Sequence, residues 1–186
     1  MQKIFRTIPF LLLIFLVVGS CIIAENEPPA NIDLVQVRIT RVVDGDTAYA
    51  RFADGREEKV RFIGVDAPEI SESAGGLEPY GTEAAKFTRR QIDGNNIWLE
   101  FDVEERDQYD RLLAYLWLAI PEEINDSEIR AKMFNAHLLL EGYASQVTFP
   151  PNTRYIEYFS QFTTEARKAN RGLWNLSGGN NNTRPE

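Results

Sequence analysis

The chain has 186 residues, of which 44% are hydrophobic, 26% charged and 11% aromatic, and it carries a formal net charge of −8. That is enough chain for one globular core, while the acidity weighs against tight, unselective nucleic-acid binding, whose affinity comes largely from neutralised phosphates. A single cysteine, Cys21, rules out an intrachain disulfide, and a single histidine, His137, rules out a His/Cys zinc site.

Residues 1–21 read as a signal segment. Lys3 and Arg6 precede an apolar run from Ile8 to Val18, too short for a comfortable membrane span, and small residues follow. Val18-Gly19-Ser20-Cys21 resembles a bacterial lipobox, in which Cys21 would become the lipidated first residue. Ordinary cleavage after Ala24 is the alternative. Either way the expectation is an exported protein, secreted or lipid-anchored at the cell envelope. The mature part is then more acidic still, since the segment removed contains two cations and no acid. Residues 22–32 are a polar, Pro-containing tether.

Leu34 to Val43 alternates as a strand, Asp44-Gly45-Asp46 turns, and Thr47 to Phe52 is a second strand. Asp54-Gly55 is a hairpin signal leading into a third strand, Glu57 to Val65. A loop with Pro68, Gly75, Gly76 and Pro79 follows. Thr82 is placed to cap a helix running to Ile92, which Asp93-Gly94-Asn95 ends. Ile97 to Val103 and Arg111 to Ile120 are the fourth and fifth strands. Ile129 to Glu141 reads as a second helix, with His137 packed in it as a structural residue, and Tyr155, Phe159, Phe162 and Ala166 share a face of a third. Residues 177–186 are Gly/Asn-rich and read as a disordered tail. The pattern predicts an α+β fold, a five-stranded Greek-key barrel of the OB type with about three helices, behind a signal segment.

Chemistry concentrates in four segments: Val43-Asp44-Gly45-Asp46-Thr47, Val60 to Glu69, Pro79-Tyr80-Gly81-Thr82-Glu83-Ala84, and Asp107 to Tyr115. Each alone is an ordinary turn or strand end. Together, Asp46, Asp66 and Glu69 lie at strand ends that a barrel can gather. Clustered carboxylates repel unless a cation or shared proton joins them, and without His or Cys the suitable ions are Ca²⁺ or Mg²⁺. Arg61 and Arg111 add guanidinium groups, which grip phosphate oxygens bidentately. That set suits phosphoryl transfer.

The same segments, in this order from about Leu34 to Trp174, resemble the staphylococcal-nuclease (thermonuclease) family, and residues 33–176 are expected to form that domain. The resemblance implies a Ca²⁺-dependent nuclease that hydrolyses DNA or RNA and leaves 3′-phosphate ends. It further implies that Asp46, Asp66 and the backbone carbonyl of Ala67 bind the calcium ion, with Asp44 and Thr47 supporting the metal loop from behind. Arg61, Glu69 and Arg111 would be catalytic, Glu69 activating or orienting the attacking water, and Tyr109 would help hold the nucleotide. The chain departs from basic family members: the loop Ile70 to Gly76 has no lysine, Gln108 replaces a phosphate-binding lysine, and Ser145 to Pro150 lacks pocket tyrosines. Substrate binding by the expected monomer should therefore be weak and salt-sensitive. The competing reading is a non-catalytic barrel of the same shape that binds nucleic acid or a protein partner, or serves adhesion at the envelope.

Overall fold

A computed structural model describes residues 32–70 and 78–178. The signal segment, nearly all of the tether and most of the tail lie outside these residues. Five strands form a closed barrel in the order β1 (Leu34–Val42), β2 (Thr47–Arg51), β3 (Glu57–Phe62), β6 (Leu112–Trp117), β5 (Asn96–Glu100), back to β1. All pairings are antiparallel except β3 with β6, which run parallel. A two-stranded piece, β4 (Val65–Asp66) with β7 (Ser145–Gln146), sits apart from the barrel.

Alternation drives the barrel strands: Val37 and Ile39 of β1 are buried while Arg38 between them is exposed. A bulge between Ile39 and Arg41 resets the phase, so Val42 also turns inward and pairs with Ala48. Every residue of β6 is buried, because the barrel fills one side and α3 (Phe134–Leu140) packs on the other.

The predicted third strand stops at Phe62, three residues early, because Gly64 turns the chain before β4. The fourth and fifth strands are likewise shorter than their apolar runs, ending at Glu100 and Trp117. Helix α1 (Gly81–Ile92) follows the left-handed Tyr80 (φ 76°), and no side chain caps it, so Thr82 is inside the helix and does not cap it. The single helix expected at Ile129–Glu141 is two, α2 (Asp126–Lys132) and α3, broken at Met133. Met133 is extended there and bridges to Trp117, while Asn135 accepts from Leu116 N–H (2.8 Å) and donates to the Ile63 carbonyl (2.8 Å). Helical periodicity does not report that pull from the barrel. His137 is half-buried and donates from Nε2 to the Arg130 carbonyl at 2.8 Å, a packed structural residue.

Helix α4 (Ile156–Lys168) follows the predicted face, with Phe159, Phe162 and Ala166 buried. The buried Glu100 carboxylate fixes the start of α4 against the barrel, accepting from Trp117 Nε1 (2.7 Å) and Tyr155 Oη (3.0 Å) and pairing with Arg154. A short α5 (Leu173–Gly178) ends the described chain. No helix among the described residues is long and apolar enough to cross a membrane.

Candidate active site

The β1–β2 turn carries Asp44-Gly45-Asp46. Gly45 is required by close approach: a Cβ there would meet the Ala67 Cβ at 2.4 Å. Thr88 of α1 donates to the Gly45 carbonyl at 2.7 Å and fixes the turn against the helix. Asp44 Oδ1 accepts from the Asp46 backbone N–H at 3.1 Å, an Asx turn that aims Asp46 inward. Asp46 is 6% exposed; its Oδ1 accepts from Thr47 Oγ1 (3.0 Å) and its Oδ2 from Ala67 N–H (2.7 Å).

Arg61 of β3 joins this turn to β4. Its Nη1 lies 3.1 Å from Asp46 Oδ2, and its Nη2 lies 2.9 Å from Asp66 Oδ1. Nη1 also donates to the Val65 carbonyl at 2.7 Å. Arg61 meets Asp66 only five positions away because Gly64 adopts φ +78°, which reverses the chain direction. The two aspartates are thus drawn to one guanidinium; Asp46 is buried and Asp66 exposed.

Burial pushes the Asp46 carboxyl up to about 7, against the pull of Arg61 and with the push of Asp44. Glu69 is half-buried at the exit of β4, close enough to feel Asp44, Arg61 and Asp66. Burial first, then the neighbouring Asp44, raises its carboxyl above the ordinary glutamate value.

Arg111 precedes β6. Asp107 holds it twice, accepting from its backbone N–H (2.9 Å) and from Nε (2.6 Å). The grip on Nε leaves the outer guanidinium edge for a ligand. Tyr109 is 72% exposed, its ring centroid 5.4 Å from Arg111 Cζ. Arg61, Arg111 and Tyr109 line one groove of about 360 Å³, whose other wall includes Thr148, Phe149 and Asn152. Asn152 clamps the two walls, donating to the Glu104 carbonyl and accepting from the Glu104 N–H, both at 2.8 Å.

Asp46, Asp66, Ala67, Asp44 and Thr47 therefore gather around Arg61, with Glu69 nearby, and Arg111 and Tyr109 share its groove. Asp107, Phe149 and Asn152 were not singled out as site residues. Asp107 has a signal, its spacing of four from Arg111, and Phe149 lies in the segment Ser145 to Pro150 that the resemblance places at the nucleotide pocket; Asn152 has none, since long-range folding brings it in.

The donor set bears on a metal ion. Among the described residues no group of three or more His, Cys, Asp or Glu side chains converges as a cage. Two carboxylates drawn to one guanidinium, Asp46 also held by the Ala67 N–H, form an open pair of hard-oxygen donors. Such a set fits a hydrated Ca²⁺, which fills its coordination from water and substrate oxygens.

A closed OB-type barrel with two arginines on one groove, one of them tied to a pair of aspartates, defines a class of small α+β domains equipped for phosphate chemistry. The chain belongs to the staphylococcal-nuclease family: the family profile described as "Staphylococcal nuclease homologue" matches residues 59–176. It is 36% identical over 137 residues to a protein named Thermonuclease from Staphylococcus hyicus, covering 74% of each chain. It is 38% identical over 136 residues to the Thermonuclease of Staphylococcus intermedius, covering 73% of this chain and 74% of the other. The protein named Endonuclease YncB of Bacillus subtilis is 33% identical over 147 residues, 78% of this chain and 64% of that one.

Proposed function

We propose that this protein is a Ca²⁺-dependent nuclease that hydrolyses phosphodiester bonds of DNA or RNA and leaves 3′-phosphate ends. The observation that carries the reading is that Arg61, tied to both Asp46 and Asp66, and Arg111, held by Asp107, line one groove. The relatives named for nuclease activity support it.

In this reading Arg111 offers its outer nitrogens to a non-bridging phosphate oxygen, and Asp107 keeps that edge aimed into the groove. Arg61 contributes charge from the groove's inner end and holds the two aspartates for the ion. When bound by Asp46, Asp66 and the Ala67 carbonyl, calcium supplies charge to polarise the phosphate. Glu69 accepts the proton of the attacking water. Its raised proton affinity makes it a better base than a solvated glutamate. The bond from phosphorus to the 5′ oxygen breaks, and that oxygen takes a proton from solvent. Tyr109 stands beside Arg111 to pack against the sugar or base.

Export, with Cys21 as a lipidation point, is a further part of the proposal and rests on the N-terminal sequence. Cys21→Ala should then release the protein from the detergent phase or stall its processing.

The deciding experiment incubates the purified protein with single-stranded DNA and Ca²⁺, then with excess chelator. Cleavage with calcium, arrest by the chelator and 3′-phosphate product ends are expected. DNA bound in calcium yet left intact overturns the reading.

A further inference from the structure

The outer face of β1, β2 and β3 holds cations that the candidate site does not use. The Cα register pairs Arg41 with Tyr49, and Tyr49 with Lys59. Their neighbours Val42, Ala48, Ala50 and Val60 are buried in the barrel, so these three side chains face outward. Extending the parallel β3–β6 register back by one residue from Val60↔Leu112 sets Lys59 alongside Arg111. One row thus crosses β1, β2 and β3 and reaches the residue just before β6: Arg41, Tyr49, Lys59, Arg111. It lies one step along the strands from the row Thr47, Arg61, Leu113, on the same face as the groove.

We propose that this row is a track for the single-stranded nucleic acid flanking the scissile phosphate, leading from the groove at Arg111 across Lys59 and Tyr49 to Arg41. The inference rests on the nuclease reading and goes beyond it by assigning residues outside the groove to the polymer.

Charge complementarity selects the occupant. Arg41 and Lys59 form no salt bridge among the described residues, whereas Arg61 and Arg111 beside them are each held by an aspartate. Glu57, two residues before Lys59 on the same strand, is taken by Arg51 at 2.9 Å. Arg41 is also ordered in advance: its Cζ lies 4.3 Å from the Tyr49 ring centroid. A cation held on an aromatic ring loses less freedom on binding than a free one. The main packing partners of β2 and β3 are their neighbouring strands; on their outer face Arg41 is exposed and Tyr49 and Lys59 half-buried.

Three strand-to-strand steps span about 14 Å, about four nucleotides at a stacked rise of 3.4 Å and fewer in an extended strand. A backbone on this path meets a cation at each end and in the middle. An aromatic among cations suits unpaired bases, which stack on rings without regard to sequence. This polymer-holding surface is independent of the loop after Glu69, which lacks lysines.

The test compares two double variants that remove equal charge, R41Q/K59Q and R167Q/K168Q, the second pair on α4. Anisotropy of a fluorescent oligothymidylate is titrated with each at several salt concentrations in calcium, in a Glu69→Gln background that keeps the strand intact. Turnover of a nitrophenyl thymidine phosphodiester is measured in the Glu69 proteins. R41Q/K59Q should lower the slope of log K against log salt by about 1.4, at about 0.7 per lost phosphate contact. R167Q/K168Q should leave that slope unchanged. Both should match the unsubstituted protein on the small diester. An unchanged slope in R41Q/K59Q, or the same loss in both variants, overturns the track. An unsubstituted protein that fails to cut the small diester and DNA counts against the nuclease reading instead, and the binding slopes still decide the track.

Discussion

Arg61 and Asp46 form a buried ion pair, Nη1 to Oδ2 at 3.1 Å, with side chains only 9% and 8% exposed. Removing Arg61 strips the buried Asp46 carboxyl of its counter-charge and unties Asp66, which destabilises the fold. Arg61→Ala should therefore lower the urea midpoint markedly as well as abolish activity. Arg61→Lys keeps the charge but cannot span Asp46 and Asp66 with two nitrogens. Its unfolding curve should stay closer to that of the unsubstituted protein while kcat falls clearly. Equal losses of stability in the two variants would show that the positive charge alone does not hold the site, and an unchanged kcat in Arg61→Lys would show that the fork is not what matters.

Glu69 should set the acid limb of the reaction. Burial and Asp44 raise its carboxyl above 4.5, so kcat at saturating calcium should decline at a pH above that value. Glu69→Gln should lower turnover on the order of 10²–10⁴-fold and remove the limb. Calcium binding, followed by calorimetry, should persist. A limb that survives in the variant belongs to another group.

Gly64 should be intolerant of any side chain. Its left-handed backbone costs an L-residue about 1–2 kcal/mol, and a Cβ there would meet the Phe159 ring at 2.5 Å, adding about 1–3 kcal/mol of overpacking. Gly64→Ala should lower Tm and, by displacing β4, move Asp66 away from Arg61. A normal Tm with normal calcium affinity would contradict this.

The helix pair α2 and α4 should loosen in acid. Arg130 holds Glu165 through two bonds of 2.7 Å and depresses its carboxyl from 4.5 to about 2. A depressed carboxylate stabilises the fold above its unfolded value and loses that contribution as pH falls from 4.5 through about 2. Glu165 is 43% exposed, so screening limits the effect to about 1 kcal/mol. Urea unfolding of Glu165→Gln should match the unsubstituted protein near pH 2 and fall below it at neutral pH.

Much of this was legible because short-range pattern carried it. Alternation around Val37, Ile39, Ala48 and Ala50 reported the barrel walls, and Asp44-Gly45-Asp46 reported a turn between them. The candidate site residues stood out as carboxylates and arginines at strand ends, with Pro68 marking one turn, whereas Gly64, expected inside the third strand, turns the chain and ends it early. What failed depended on distant partners. Met133 breaks a helix because Trp117 bridges to it, and Tyr80 takes the cap position that Thr82 was expected to fill. Asn152 enters the groove through a clamp to Glu104, forty-eight positions away, which no local pattern reports.

The parallel seam between β3 and β6 has a consequence for timing. Val60 meets Leu112, and Leu34 meets Glu100, so the barrel closes only after more than half of the described chain has been gathered. Contacts this remote in sequence form slowly, since the intervening chain must give up its freedom before they reward it. Arg61 lies on one side of the seam and Arg111 borders the other, so a nascent or unfolded chain holds the two guanidinium groups apart. The groove that both line is thus assembled only when the seam closes, so under the proposed export a chain crossing the membrane unfolded would not yet carry it.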